Sequence, residues 1–94
     1  MAELSRFFGI IIRMFAEAGA PHKLPHFHAY YGDLEAVYVI RGIEILRMQG
    51  SLPRAQERLV LAWAYMHVAE LSAAWDYQIT GATWDKELKI NPLQ

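Results

Sequence analysis

Leu24-Pro25-His26-Phe27-His28-Ala29 decides how this chain is read. A proline starts the stretch, two histidines stand two positions apart, and apolar residues separate and follow them. As a strand the segment alternates. His26, His28 and Tyr30 point to one side, and Phe27, Ala29 and Tyr31 to the other. One face then belongs to a core, and the other is where chemistry would lie. Gly32-Asp33 ends the strand at Tyr31. Leu34 to Ile40 reads as the next strand, Arg41-Gly42 as a tight turn, and Ile43 to Met48 as a further strand stopped by Gly50-Ser51. Connections this short join antiparallel neighbours. Upstream, residues 7 to 15, Phe-Phe-Gly-Ile-Ile-Ile-Arg-Met-Phe, predict one strand, with Gly9 marking a bulge or a close backbone approach. Ala16 to Lys23, with Gly19 and Pro21, reads as a loop. The expected sheet is a four-stranded antiparallel meander.

Ser51-Leu52-Pro53 signals a helix start, with Ser51 or Leu52 at the cap and Pro53 in the first turn. One long helix is expected from there to about Thr80, stopped by Gly81. Residues 57, 61, 64, 68, 71 and 75 recur at helical spacing, and all but Glu57 are apolar. This stripe should pack on the sheet. A second stripe, Leu59, Ala62, Met66, Ala73 and Tyr77, lies well round the helix. One sheet cannot cover both, which points to a partner, most simply a second copy of the chain. A third line carries Trp63, His67, Glu70 and Ala74. Beyond Gly81, Trp84 to Leu93 is expected to return as an extended tail along a sheet edge, where Pro92 is tolerated. The fold class is α+β: a four-stranded meander, one long helix on one face, and an extended tail.

The 94 residues make one domain, 1–94, small enough that it buries only roughly 60–65% of its unfolded surface. The chain has no cysteine, which removes disulfides and thiolate metal sites and fits a cytoplasmic location. Net charge is −1, so nucleic-acid binding is not indicated. Arg41, Arg47, Arg54 and Arg58 are interleaved with Glu35, Glu44 and Glu57, which reads as a mixed-charge surface. Hydrophobic residues reach 54%, an apolar excess that favours a homodimer. No signal-peptide pattern opens the sequence, and no stretch approaches the ~20 apolar residues of a membrane span.

Two constellations carry possible chemistry. His26 and His28 have Cα atoms about 7 Å apart on one strand face, a spacing that suits two imidazole ligands on one divalent transition metal. A third ligand would come from His67, Glu70 or His22. Two histidines and a carboxylate suit zinc, iron or manganese. The plainer alternative is that one histidine hydrogen-bonds loop backbone and the other is half-exposed. Alternation also raises an objection. If Phe27 faces the helix, His26 and His28 face away from it, and His67 cannot join them within one chain. His67 and Glu70, three apart on the helix, form a candidate catalytic acid–base pair. A helix-surface pair is the plainer reading of the same spacing. Trp63 and Trp75 read as core or interface anchors. The sequence contains no nucleophile elbow and no glycine-rich phosphate loop.

Taken together, Ser5-Arg6-Phe7-Phe8-Gly9-Ile10, Pro25-His26-Phe27-His28-Ala29, Tyr31-Gly32, Glu35-Ala36, Leu52-Pro53-Arg54, Trp63-Ala64 with His67 and Glu70-Leu71, Trp75, Ile90 and Pro92-Leu93 resemble the bacterial domain-of-unknown-function family 4160. The sequence departs from the family pattern at Leu24, where a second proline is usual, and at Ala74, where asparagine is usual. His22 matches a histidine often found there. The resemblance implies His26, His28, His67 and Glu70 as candidate functional positions, without roles. It also implies a companion small protein, in a two-gene, toxin–antitoxin-like pair. Two functional readings follow: a binding or regulatory module with a small partner protein, and a metal-dependent or histidine-based hydrolase or nuclease.

Overall fold

The computed structural model describes residues 2–15, 24–79 and 89–93. Five strands, β1 (Ala2–Phe7), β2 (Ile10–Met14), β3 (His26–Tyr31), β4 (Leu34–Arg41) and β5 (Glu44–Gly50), precede two helices, α1 (Arg54–Met66) and α2 (Val68–Ile79). The strands form one antiparallel sheet in chain order, β1 to β5. The α+β class and the meander agree with the sequence reading. The count of four strands and one helix does not.

The extra strand comes from splitting residues 7 to 15. Phe7 pairs with Ile10 across a two-residue turn at Phe8-Gly9. Both turn residues have positive φ, 49° at Phe8 and 78° at Gly9, the signature of a type I′ hairpin turn. Asn or Asp normally stands where Phe8 stands, so the turn is hidden inside an apolar run. Gly9 does make the close approach its position suggested, since a Cβ there would sit 3.3 Å from the Tyr31 ring. The next two turns, at Gly32-Asp33 and Gly42-Ile43, are equally short, because Tyr31 pairs with Leu34 and Arg41 with Glu44.

The single long helix is corrected to two. His67 breaks it, with φ −127° and ψ 27°. Its N–H donates to the Ala64 carbonyl at 3.0 Å, one residue short of the α-helical partner, and the Leu71 N–H then restarts the ladder on the His67 carbonyl at 2.9 Å. His67 thus caps α2 from outside, with Glu70 as the acidic residue of the first turn. The Glu70 carboxylate reaches back to the His67 ring Nδ1 at 2.6 Å, a side-chain pair across the junction. Its charge also suits the positive end of the helix. No proline or glycine lies nearby to announce the break. At the other end of α1, Pro53 itself stands at the N-cap, and no side chain caps the helix.

The helices bury Val60, Trp63, Ala64, Leu71, Ala74 and Trp75 against Ile10, Ile12, Met14, Phe27, Ala29 and Tyr38 of the sheet. This buried line runs between the expected first stripe and the Trp63 line, with Leu61 and Val68 partly buried beside it. Phe27 stacks on Tyr38 at 5.4 Å and meets Trp63 edge-on at 6.1 Å. Glu57 has a use in the stripe it interrupts. Its carboxylate accepts the Tyr38 hydroxyl at 2.8 Å and Arg47 Nη1 at 3.3 Å. Burial first, and the Glu57 carboxylate second, push the Tyr38 phenol well above its ordinary pKa.

Both edge strands are met by other groups. The Ile90 N–H donates to the Leu4 carbonyl of β1 at 2.8 Å, and Trp63 Nε1 donates to the Asn91 carbonyl at 2.8 Å. Of the expected edge tail, the described residues show one hydrogen bond to the β1 edge, at Ile90. Gly81 and Trp84 to Leu88 fall outside the described residues. On β5, the Ile45 N–H donates to the Tyr65 hydroxyl, which donates in turn to the Ile45 carbonyl, both at 3.3 Å. Among the described residues, no helix is long and apolar enough to cross a membrane.

Candidate functional site

Alternation along β3 sorts its side chains as the sequence requires. Phe27 and Ala29 are fully buried in the core. His26 and His28 share the opposite face with Val39 and Val37, which lie directly across from them on β4. That face is not open at the pair, for His26 is 8% exposed and His28 9%. Phe15 stacks on the His28 ring at 4.4 Å, and Trp75 from α2 packs on His26 at 4.9 Å. Tyr30 lies 6.2 Å from His28, with the Arg13 guanidinium 5.4 Å over its ring. The half-exposed histidine considered above is therefore corrected: both rings are buried, because aromatic residues from β2's end, β3 and α2 close over them.

Each ring is fixed through Nδ1. His26 Nδ1 donates to the Leu24 carbonyl at 2.8 Å, which is the loop-backbone bond the plainer reading expected. A carbonyl only accepts, so Nδ1 carries the proton and Nε2 of the neutral ring keeps the lone pair. His28 Nδ1 lies 2.8 Å from Glu35 Oε2 and donates to that carboxylate. The hairpin register explains the partner. Tyr30 pairs with Glu35 and His28 with Val37, so Glu35 is one diagonal step from His28. His28 Nε2 is buried and, among the described residues, has no hydrogen-bond partner. A buried polar atom without a partner costs about 1–3 kcal/mol, so an unmatched nitrogen in so tightly packed a cluster calls for an explanation. The two imidazole ring centres are 5.5 Å apart, inclined at 62°.

His67 and Glu70 form the pair their spacing predicted, but at the helix junction. The His67 ring packs 5.5 Å from Trp63, on the helical layer. Phe27 does face the helices, but His26 on the opposite face still meets Trp75 of α2, so alternation alone does not part the pair from the helical elements. Among the described residues no three His, Cys, Asp or Glu side chains come together as a metal-holding group. His22 lies outside the described residues. Sequence reasoning missed Glu35 as the orienting carboxylate and Phe15 as the cover of His28. The two-residue turn at Gly32-Asp33 was the available signal for Glu35, since it fixes the register. Trp75 was read as a core anchor, and it is one, with His26 among its contacts.

The fold and this face define a small α+β protein: a five-stranded antiparallel meander, two helices, and a buried histidine pair held by the Leu24 carbonyl and the Glu35 carboxylate and covered in part by Trp75 of α2. The chain belongs to the family described as Domain of unknown function (DUF4160), whose model matches residues 9–76. No curated protein and no solved structure matches it.

Proposed function

We propose that the chain is a small binding and regulatory module that acts as one half of a two-protein, toxin–antitoxin-like pair. The helix surface supports this reading. Ala62, Met66, Ala73 and Tyr77 of the second apolar stripe are exposed, with Met66 69% exposed, and Tyr65 flanks them. Exposed apolar residues on both helices are what a protein partner covers. The occupant proposed is the small companion protein that the family pattern implies; a second copy of the chain is the competing occupant. Light scattering after size-exclusion chromatography separates them, with the chain run alone and with the companion protein. A 1:1 complex with the companion, lost in Met66→Glu, is expected. A monomer that ignores the companion sinks the reading, and a homodimer lost in Met66→Glu replaces it with self-association.

A histidine-based hydrolase or nuclease is the second reading. The observation favouring it is His28, whose ring is oriented by Glu35 and whose Nε2 is unpartnered among the described residues. An imidazole held this way can accept a proton from a nucleophile or bind a metal.

A further inference from the structure

We infer that His26 and His28 form a binding site for a borderline divalent transition metal of the Zn2+ and Co2+ class, ligated through both Nε2 atoms, with Glu35 as the orienting carboxylate of His28. Three independent features converge on it. First, each Nδ1 is held by an oxygen acceptor, the Leu24 carbonyl at 2.8 Å and the Glu35 carboxylate at 2.8 Å. This is the arrangement that fixes tautomer and ring direction in histidine metal ligands, and it leaves Nε2 as the donor. Second, His28 Nε2 is buried without a hydrogen-bond partner among the described residues. A metal ion would satisfy that lone pair. Third, the ring centres are 5.5 Å apart. Two imidazoles bound to one tetrahedral ion at ~2.0 Å place their ring centres a little over 5 Å apart, so the observed ring separation matches that of a shared ion.

The surroundings select the ion. Imidazole nitrogen suits zinc, cobalt, nickel and copper, and is a poor ligand for magnesium or calcium. Phe15 and Trp75 pack directly on the two rings. An apolar shell of this kind limits solvent access to the ion and lowers the local dielectric. Two protein nitrogens leave coordination positions free for water or a bound group, so binding in the micromolar range is expected.

The inference rests on the histidine face being a site, as the second functional reading does, and it requires no turnover. Full-length protein without a histidine tag is titrated with Zn2+ by calorimetry. It is then titrated with Co2+ by visible absorption, where a tetrahedral ion gives intense bands. One equivalent of metal per chain is expected. Histidine-detected NMR should show both Nε2 atoms, and neither Nδ1, perturbed by the metal. Glu35→Gln keeps the hydrogen bond's geometry and removes its charge; it should weaken binding about 10–100-fold with the fold intact. His26→Ala and His28→Ala should abolish binding. Absence of binding to the wild type up to millimolar metal overturns the inference. So does binding that survives all three substitutions. A protein that binds Co2+ and hydrolyses nothing keeps the metal site and removes only the hydrolase reading.

Discussion

At the scale of single residues, Phe8 is the costliest choice in the sheet. It adopts φ 49° in a turn that asparagine or glycine enters freely, and its side chain is 58% exposed. Left-handed backbone costs a bulky residue about 1 kcal/mol or more, with little packing there to offset it. Phe8→Asn should therefore stabilise the protein by about 1 kcal/mol, which raises the melting midpoint of a chain this size by roughly 4–8 °C. Gly50 shows the converse. Its φ is 71°, and a Cβ would run into the Glu35 carbonyl, so the position accepts no side chain. Tyr38 sets a pH limit. The unfolded phenol ionises near pH ~10, and the folded one, desolvated and bonded to Glu57, holds its proton to higher pH. That stability is complete below the unfolded value and is lost as pH rises through the folded one. Denaturant titrations from about pH 8 to 12 should show an alkaline fall in stability that is shallower in Tyr38→Phe. Parallel pH profiles for the two proteins would contradict this.

Among the elements, the sequence was most legible where turn chemistry and alternation agreed. His26–Tyr31 matches β3 residue for residue, and the faces of Phe27 and His28 follow from period two alone. It was least legible where a turn or a break used an uncommon residue. Phe8 concealed a hairpin, and His67 ended a helix without glycine or proline. Helical periodicity passes through such a break almost unchanged, because one residue of 3₁₀-like bonding shifts the apolar stripe only slightly. Glu35 was legible as a site residue only through the strand register that the Gly32-Asp33 turn fixes, and through no feature of its own. The edge strands were legible in part. The tail beside β1 was expected, whereas the Tyr65 hydroxyl on Ile45 was not, since it joins residues twenty apart with no sequence signal. It satisfies both the N–H and the carbonyl of one edge residue and so blunts an otherwise open edge. Tyr65→Phe should cost about 1 kcal/mol and speed hydrogen exchange at the Ile45 amide specifically. Unchanged Ile45 exchange would show that the bond contributes nothing in solution.

For the molecule as a whole, the two faces of the sheet have separate duties. The helical layer and the tail supply the core and present the apolar stripe on which the partner reading depends. The other face carries the histidine pair, and Trp75 of α2 touches both the core and His26. The strand order adds a consequence of its own. The sheet runs β1 to β5 in the order of synthesis, so every hairpin can close as soon as its second strand leaves the ribosome. All five strands are complete at Gly50, before α1 begins at Arg54. Whenever the sheet forms before the helices dock, Ile10, Ile12, Phe27 and Tyr38 are left as an uncovered apolar surface. A species with the sheet formed and the helices undocked is therefore the one most open to wrong association, and helix docking is the step that closes that route.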